Sequence, residues 1–268
     1  MKNWKLVLSV AIVLVTSMSV KASPIMVGGV TWDPDWVDGG EQDFLLKYDF
    51  TQWFSNTNVA DNNVANMQTS YTNSVGINTV LGSLTGSGSG TGYFLSGVGE
   101  AYYINGSNAF CSGCELTLAF GGIELFGDNS FDVSSAWINL YVDSSPDYSH
   151  PTSNVGEVAS AMDGNLWLST SILSFALTGG TVDDGLVSAE LQVTGGLAAN
   201  NFLYSSLAGL ALQSGNARFD ASSNAKYSSG GNGQVQSDTV GVPEPTNLVL
   251  LSLAMMGLVG AFRRNKAQ

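Results

Sequence analysis

The chain has 268 residues, of which 44% are hydrophobic and only 12% charged, and its net charge is −13. Residues 23–241, between two apolar segments at the chain ends, contain three basic and 21 acidic residues, a net charge of −18. Phosphate backbones and anionic membrane surfaces repel such a segment, which argues against nucleic-acid binding. The same charge favours solubility and can attract divalent cations, and the composition leaves open whether a ligand is bound.

The N-terminal segment has the features of a secretory signal peptide. A basic start precedes an apolar run at 6–20, and small residues follow it. We expect cleavage between Ala22 and Ser23, although an uncleaved N-terminal anchor would show a similar sequence. Residues 1–22 are therefore predicted to be a signal helix, and residues 23–241 a β-rich exported body.

Acidic residues and tryptophans alternate early in this body. Trp32 and Trp36 lie beside Asp33, Asp35 and Asp38. The three acids are a weak calcium candidate, because their spacing is not that of an EF-hand and helical patterns do not flank them. The alternative is an acidic surface loop whose tryptophans pack into the core. The two tryptophans are also glycan-contact candidates, since their rings can stack on sugars.

Strand patterns dominate the rest of the body. Apolar and polar residues alternate in short runs that Gly- and Asn-rich turns separate, as half-buried antiparallel strands require. We predict an all-β fold, a β-sandwich or jelly-roll-like exported domain. The predicted strands cover residues 44–50, 93–95, 100–104, 115–120, 136–142, 166–168, 172–177, 186–193 and 234–240.

Three stretches between these runs lack a strand pattern. Residues 56–78 are rich in Asn, Thr and Ser and predict a long polar loop or irregular strands. Residues 143–164 form a polar insertion whose role the sequence leaves open. Residues 202–212 are ambiguous, since leucines at helical spacing allow a short helix.

The two cysteines of the chain, Cys111 and Cys114, are separated by Ser and Gly. In an exported protein an even number of cysteines favours a disulfide, which here would close a very small loop between two strands. A redox pair would be followed by a helix, whereas a strand pattern follows Cys114. A free thiol or a metal-bound pair remains an alternative, although zinc would need further ligands.

Catalytic arrangements are weak in this sequence. His150 is the one histidine, precedes a proline in a polar stretch, and is not accompanied by a nucleophile-elbow pattern. We expect a solvated loop residue. Asp183 and Asp184 resemble a glycosidase carboxylate pair only superficially, because they adjoin Gly185 at a predicted hairpin turn. We therefore expect a protein that is not an enzyme, and a secreted hydrolase is the unfavoured alternative.

The C-terminal segment, residues 242–268, combines three features in a fixed order. A stiff proline-flanked glutamate comes first, an uncharged apolar run follows, and basic residues end the segment. The run is shorter than the roughly 20 residues that cross a bilayer comfortably, and the basic end is predicted to be cytoplasmic. These features are Pro243, Glu244 and Pro245, the predicted transmembrane helix 248–262, and Arg263, Arg264 and Lys266.

This tail resembles the PEP-CTERM sorting signal, whose parts occur here in the same order and spacing. The resemblance covers about the last tenth of the chain. It implies recognition by an exosortase, a membrane transpeptidase-like enzyme of Gram-negative bacteria that make exopolysaccharide. The tail would then be held transiently in the inner membrane and processed near Glu244. The alternative is an ordinary single-span anchor behind a proline-rich spacer.

Parts of the body resemble the flocculation-associated PEP-CTERM proteins, namely residues 115–122, 193–202 and 217–223. The resemblance implies a non-enzymatic structural or adhesive protein of the cell surface or the exopolysaccharide matrix, which promotes floc or biofilm formation. Its expected partners are the exosortase and extracellular polysaccharide, and a resident cofactor is not expected. A carbohydrate-binding module is the alternative.

Overall fold

The computed structural model describes residues 22–36, 42–150, 154–202 and 210–240, and for 210–214 it describes the backbone only. Pro24–Val240 form one unit by their contacts. The helices are α1 (Val64–Thr72), α2 (Ile77–Leu81) and α3 (Val155–Ser160). The strands are β1 (Ile25–Val27), β2 (Val30–Trp32), β3 (Phe44–Ser55), β4 (Gly90–Ile104), β5 (Glu115–Phe126), β6 (Phe131–Asp132), β7 (Trp137–Asp143), β8 (Asn165–Gly180), β9 (Asp184–Gly195), β10 (Leu210–Arg218) and β11 (Gly231–Ser237).

Eight of these strands form a closed antiparallel sheet. Taken in the order β3, β4, β5, β7, β8, β9, β10 and β11, each strand pairs with the next, and β11 returns to pair with β3. The short β6 pairs with the end of β5, and β1 pairs only with β2 among the described strands. We call the eight-stranded sheet the ring.

The ring confirms the prediction of an all-β fold. Its opposite walls pack across a filled interior, much as the two sheets of a β-sandwich do. The strand order differs from that of a jelly roll, because the described strands follow one another as a meander without a Greek-key crossover. Alternation of apolar and polar residues indicates a half-buried strand but does not identify the strands that pair with it. The strand order therefore could not be predicted from the sequence pattern.

Side chains of alternate residues fill the interior of the ring. Along β3 the buried residues Phe44, Leu46, Tyr48 and Phe50 all belong to one apolar core. The ring of Phe50 meets that of Phe120 from β5 edge to face, with centroids 5.8 Å apart. The gaps beside Phe50 are lined mainly by apolar side chains, and each has a volume of about 30 Å³, room for roughly two water molecules.

Two glycines of β4 allow a close approach between β3 and β4. A Cβ atom on Gly97 would overlap the Phe120 ring and lie 2.7 Å from the carbonyl oxygen of Thr51. A Cβ on Gly99 would overlap the carbonyl oxygen of Asp49 and lie 2.8 Å from the Cβ of Phe50. Glycine at such positions lets a sheet bend sharply, which closure of the ring requires.

Helices α1 and α3 cover part of the outer face of the ring. Trp53 of β3 faces outward and is fully buried beneath them. Its indole Nε1 donates a hydrogen bond to Ser70 Oγ at 3.0 Å, and its ring meets Tyr71 edge to face at 5.1 Å. This second core, on the outside of the sheet, makes several outward positions of β3, β4, β5 and β7 apolar.

The prediction of a polar loop or irregular strands over residues 56–78 holds for the loop at 56–63 but was wrong beyond it, because α1 follows and α2 begins at Ile77. The Asn63 side chain accepts hydrogen bonds from the first backbone N–H groups of α1, as a helix N-cap does. Met67 and Tyr71, four residues apart, supply its buried stripe. An otherwise polar segment can thus be helical, since it has to bury only one narrow face.

Several predicted strand boundaries also change. Runs predicted as separate strands at 93–95 and 100–104 belong to β4, and those at 166–168 and 172–177 belong to β8, because bulges interrupt their alternation. Residues 210–212 begin β10 and so are not helical as the leucine spacing allowed, whereas 203–209 lie outside the described residues.

The predicted processing segments fall largely outside the described ranges. Residues 1–21 and the whole tail 242–268, with its predicted helix 248–262, lie there. Within the described ranges, none of the helices has the length and hydrophobicity that a membrane crossing demands. Ala22 and Ser23, the predicted cleavage pair, lie just before β1.

Candidate functional site

Three carboxylates meet on the outer face of the ring where β5 begins. Glu115 begins β5 and Asp143 ends β7, and the two residues are direct partners across the ladder. Both face outward, because their neighbours Leu116 and Val142 belong to the interior core. Asp147 comes from the loop after β7. One oxygen from each carboxylate lies within 4.8 Å of the other two, and we call this group the acidic cluster.

Glu115 is the buried member of the acidic cluster, with only 5% of its surface exposed. The Tyr148 backbone N–H donates to Glu115 Oε2 at 3.2 Å, and the Asp147 N–H donates to the same carboxylate. The second oxygen, Oε1, is buried and has no hydrogen-bond partner among the described residues. A buried oxygen without a partner is costly, and most such atoms in proteins bind some polar group.

Negative charge accumulates around Glu115. Burial raises its pKa, the N–H donors of Asp147 and Tyr148 lower it, and the carboxylates of Asp147 and Asp143 raise it again. Asp163, in the turn before β8, also has a raised pKa, from burial first and then from Asp147 and Asp143. In the described part of the chain the one ion pair joins β9 to β10, so it does not neutralise this cluster.

The acidic face continues onto β3 and β4. Burial raises the pKa of Glu100 on β4, and the charges of Glu115 and Asp49 raise it further. His150 is half-buried rather than solvated as predicted, because the loop after β7 folds against the ring. Burial lowers the His150 pKa while Asp49 opposes that effect, and the Nδ1 atom is buried without a hydrogen-bond partner among described residues.

The predicted disulfide is supported, since Cys111 and Cys114 lie at bonding distance with Cα atoms 5.2 Å apart. The pair lies in the connection from β4 to β5, and Gly113 adopts the positive φ of 77° that this tight turn requires. The Cys111 backbone bridges to Val30 of β2, so the turn also holds the β1–β2 hairpin.

The two predicted glycan-contact residues differ in accessibility. Trp32 is 2% exposed and stacks on Phe202 while meeting Phe44 and Trp167 edge to face. A sugar could not reach its ring without opening this aromatic group. Trp36 is half-buried and lies beside Gly106, so part of its surface is open to solvent.

The first calcium candidate is only partly described, since Asp38 lies outside the described residues. Asp33 Oδ1 accepts a hydrogen bond from the Asp35 N–H at 2.9 Å, which is a local turn contact. The structure brings neither residue into a group of three ligands within the described ranges. Calcium binding by Asp33, Asp35 and Asp38 therefore stays a prediction.

The predicted hairpin at residues 183–185 is present between β8 and β9. Thr181 and Asp184 exchange backbone hydrogen bonds of 3.0 and 3.2 Å around Val182 and Asp183. The Asp184 carboxylate lies 3.7 Å from the guanidinium of Arg218, and both side chains are largely exposed. Asp183 and Asp184 thus form a turn between two strands, as predicted.

Comparison with protein-family models, curated proteins and solved structures finds no match for this chain. Its function therefore has to be inferred from its own residues.

The acidic cluster was missed by sequence reasoning. Glu115 follows the second cysteine and Asp143 begins a polar insertion, and each was assigned only to a strand or a loop. A weak signal was available, because Glu115 begins one predicted strand and Asp143 directly follows the next. Antiparallel pairing of these two strands would place the acids side by side. The register that makes them partners could not be read from the alternation.

Proposed function

We propose that the chain is an exported, exosortase-sorted protein that acts as a structural or adhesive component of the cell surface or exopolysaccharide matrix. It promotes aggregation, as in flocs or biofilms, and is not an enzyme. The observation that carries the proposal is the tail, in which Pro243, Glu244 and Pro245 precede an uncharged run and the basic pair Arg263 and Arg264.

Features of the body agree with a location outside the cell. A disulfide is stable in oxidising compartments and rare in the cytosol, and Cys111 and Cys114 form one here. The net charge of −18 over residues 23–241 keeps such a body soluble during export. Apolar side chains such as Phe50 and Phe120 pack across the interior of the ring.

Mass spectrometry of both ends of the mature protein tests the sorting step. We expect an N-terminus at Ser23 and the loss of residues 248–262 together with the basic end. The substitution Glu244→Gln should leave the tail attached, whereas Asn247→Ala, three residues away, should be processed normally. A mature protein that retains Phe262 and the two arginines, or that stays in the cytosol, would refute the proposal.

A deletion strain tests the role in aggregation separately. Loss of the protein should reduce floc or biofilm mass, and the full chain should restore it, whereas a chain ending at residue 241 should not. Unchanged aggregation with normally sorted protein would limit the proposal to export alone.

A carbohydrate-binding module is the second candidate, and the partly open ring of Trp36 is the observation that favours it. A glycan array with the mature protein should then show polysaccharide binding that Trp36→Ala abolishes. The same array with Trp32→Phe provides the control, because Trp32 is buried.

A further inference from the structure

The acidic cluster has no ion-pair partner among the described residues. Its carboxylates come from three chain segments that the fold brings together, namely the start of β5, the end of β7 and the loop between β7 and α3. Glu115 is 95% buried, yet its Oε1 has no hydrogen-bond partner among the described residues. Acids that merely increase solubility would lie apart and in water, so this arrangement needs another explanation.

The geometry fits a metal ion that prefers oxygen ligands. Calcium binds oxygens at about 2.3–2.6 Å, so two oxygens on one ion are at most about 4.6–5.2 Å apart. The cluster oxygens lie within 4.8 Å of one another. Magnesium needs near-ideal octahedral geometry and usually retains several waters, and zinc prefers nitrogen and sulfur ligands. Carboxylates from a strand, a strand end and a loop match the irregular coordination that calcium accepts.

The surroundings hold the buried carboxylate ready for such an ion. Two backbone N–H groups, of Asp147 and Tyr148, donate to the Glu115 carboxylate and fix its orientation. The Tyr148 side chain is itself buried in the core beneath α1 and α3, which anchors the loop over Glu115. Oε2 of Glu115 is thus held by the loop, and the buried Oε1 has no hydrogen-bond partner among the described residues.

We propose that Glu115, Asp143 and Asp147 bind one calcium ion, which ties the loop after β7 to the start of β5. This site differs from the candidate at Asp33, Asp35 and Asp38. The expected affinity rests on the proposed location outside the cell, but calcium binding itself can be measured whether or not the tail is processed.

The experiment is a calcium titration of the purified mature protein after treatment with a chelator, by calorimetry and by thermal unfolding. We expect about one ion per chain, with a Kd of about 10⁻⁴–10⁻³ M, as is usual for extracellular sites. With a Kd near 10⁻⁴ M, 10 mM CaCl₂ should raise the Tm by about 5–10 °C. The absence of a calcium-dependent shift in the wild-type protein would overturn the proposal.

Three variants separate a site from general charge screening. Glu115→Gln keeps the shape of the side chain but removes its charge, and it should weaken calcium binding at least tenfold. Asp147→Asn changes an exposed position and keeps the backbone N–H donor, so it should fold normally and show the same loss. Glu190→Gln, an equivalent change on the exposed face of β9, should respond as the wild type does.

The remaining outcomes also decide the matter. Equal stabilisation by MgCl₂, or by NaCl at matched ionic strength, would overturn the assignment to calcium. If the single variants Asp147→Asn and Glu115→Gln both bind calcium normally, the ion lies elsewhere. If Glu190→Gln loses calcium binding, the response is not specific to the acidic cluster.

Discussion

Replacement of Gly99 by alanine tests whether close approach of β3 and β4 is needed to close the ring. An added Cβ would overlap the Asp49 carbonyl oxygen and lie 2.8 and 2.9 Å from the Cβ and Cα of Phe50, whereas ordinary contacts begin at 3.4 Å. These are backbone and near-backbone atoms that cannot rotate away, so the two strands must separate. Overpacking costs about 1–3 kcal/mol, and each ladder hydrogen bond that is lost adds about 1 kcal/mol. We expect a loss of about 3 kcal/mol in the free energy of unfolding.

Gly195→Ala is the matched control, because Gly195 lies at the end of β9 and has no atom within 4 Å of an added Cβ. Alanine there should be neutral or stabilise the protein by about 0.5 kcal/mol, through the smaller entropy of the unfolded chain. Urea unfolding followed by tryptophan fluorescence measures both variants. If Gly99→Ala and Gly195→Ala differ by less than about 0.5 kcal/mol, the close approach is not required and the reasoning is wrong.

Three further predictions concern the outer core, a buried acid and the disulfide. Trp53→Phe removes the indole donor to Ser70 while keeping most of the buried area, and it should cost about 1–3 kcal/mol in urea unfolding; a cost below about 0.5 kcal/mol would show that the hydrogen bond does not stabilise the fold. Burial raises the pKa of Asp43 despite the hydrogen bonds from Thr239, so protonated Asp43 favours the folded state. This stabilisation is present below the unfolded pKa and is lost as pH rises through the folded pKa. Asp43→Asn should therefore reduce the fall in Tm between about pH 4 and neutral pH. Cys114→Ser opens a very small loop and should cost about 2 kcal/mol or less, and a reducing agent should lower the Tm of the wild type but not of this variant.

The sequence alone predicted seven of the eight strands of the ring, at least in part, from short runs of apolar residues between turns. It did not predict β10, because the leucine spacing at its start also allowed a helix. It did not predict how far each strand runs, since bulges at Gly97 and near Ile172 shift the alternation without ending the strand. It also did not predict closure, which depends on the β4–β5 pairing. Which strands pair with each other depends on tertiary packing, and the two-residue alternation within a strand does not determine it.

The candidate site shows the same limit more sharply. Composition indicated that divalent cations would be attracted, but the sequence analysis placed the cation candidate where aspartates are close in the chain. The acidic cluster instead joins Glu115 and Asp143, which are far apart in sequence and adjacent only through the β5–β7 register. Its buried oxygen becomes evident only when the position of the loop over Glu115 is known.

Closure of the ring has a consequence for how copies of the protein can join. Each of the eight strands has two hydrogen-bonded neighbours, so the described ring presents no free strand edge on which another chain could template amyloid-like growth. Association through the ring itself would then involve its loops, side chains or bridging ions. If such units form the proposed matrix through charged contacts or bridging ions, salt or chelators would dissociate it. A matrix of continuous cross-β fibres would resist the same treatment.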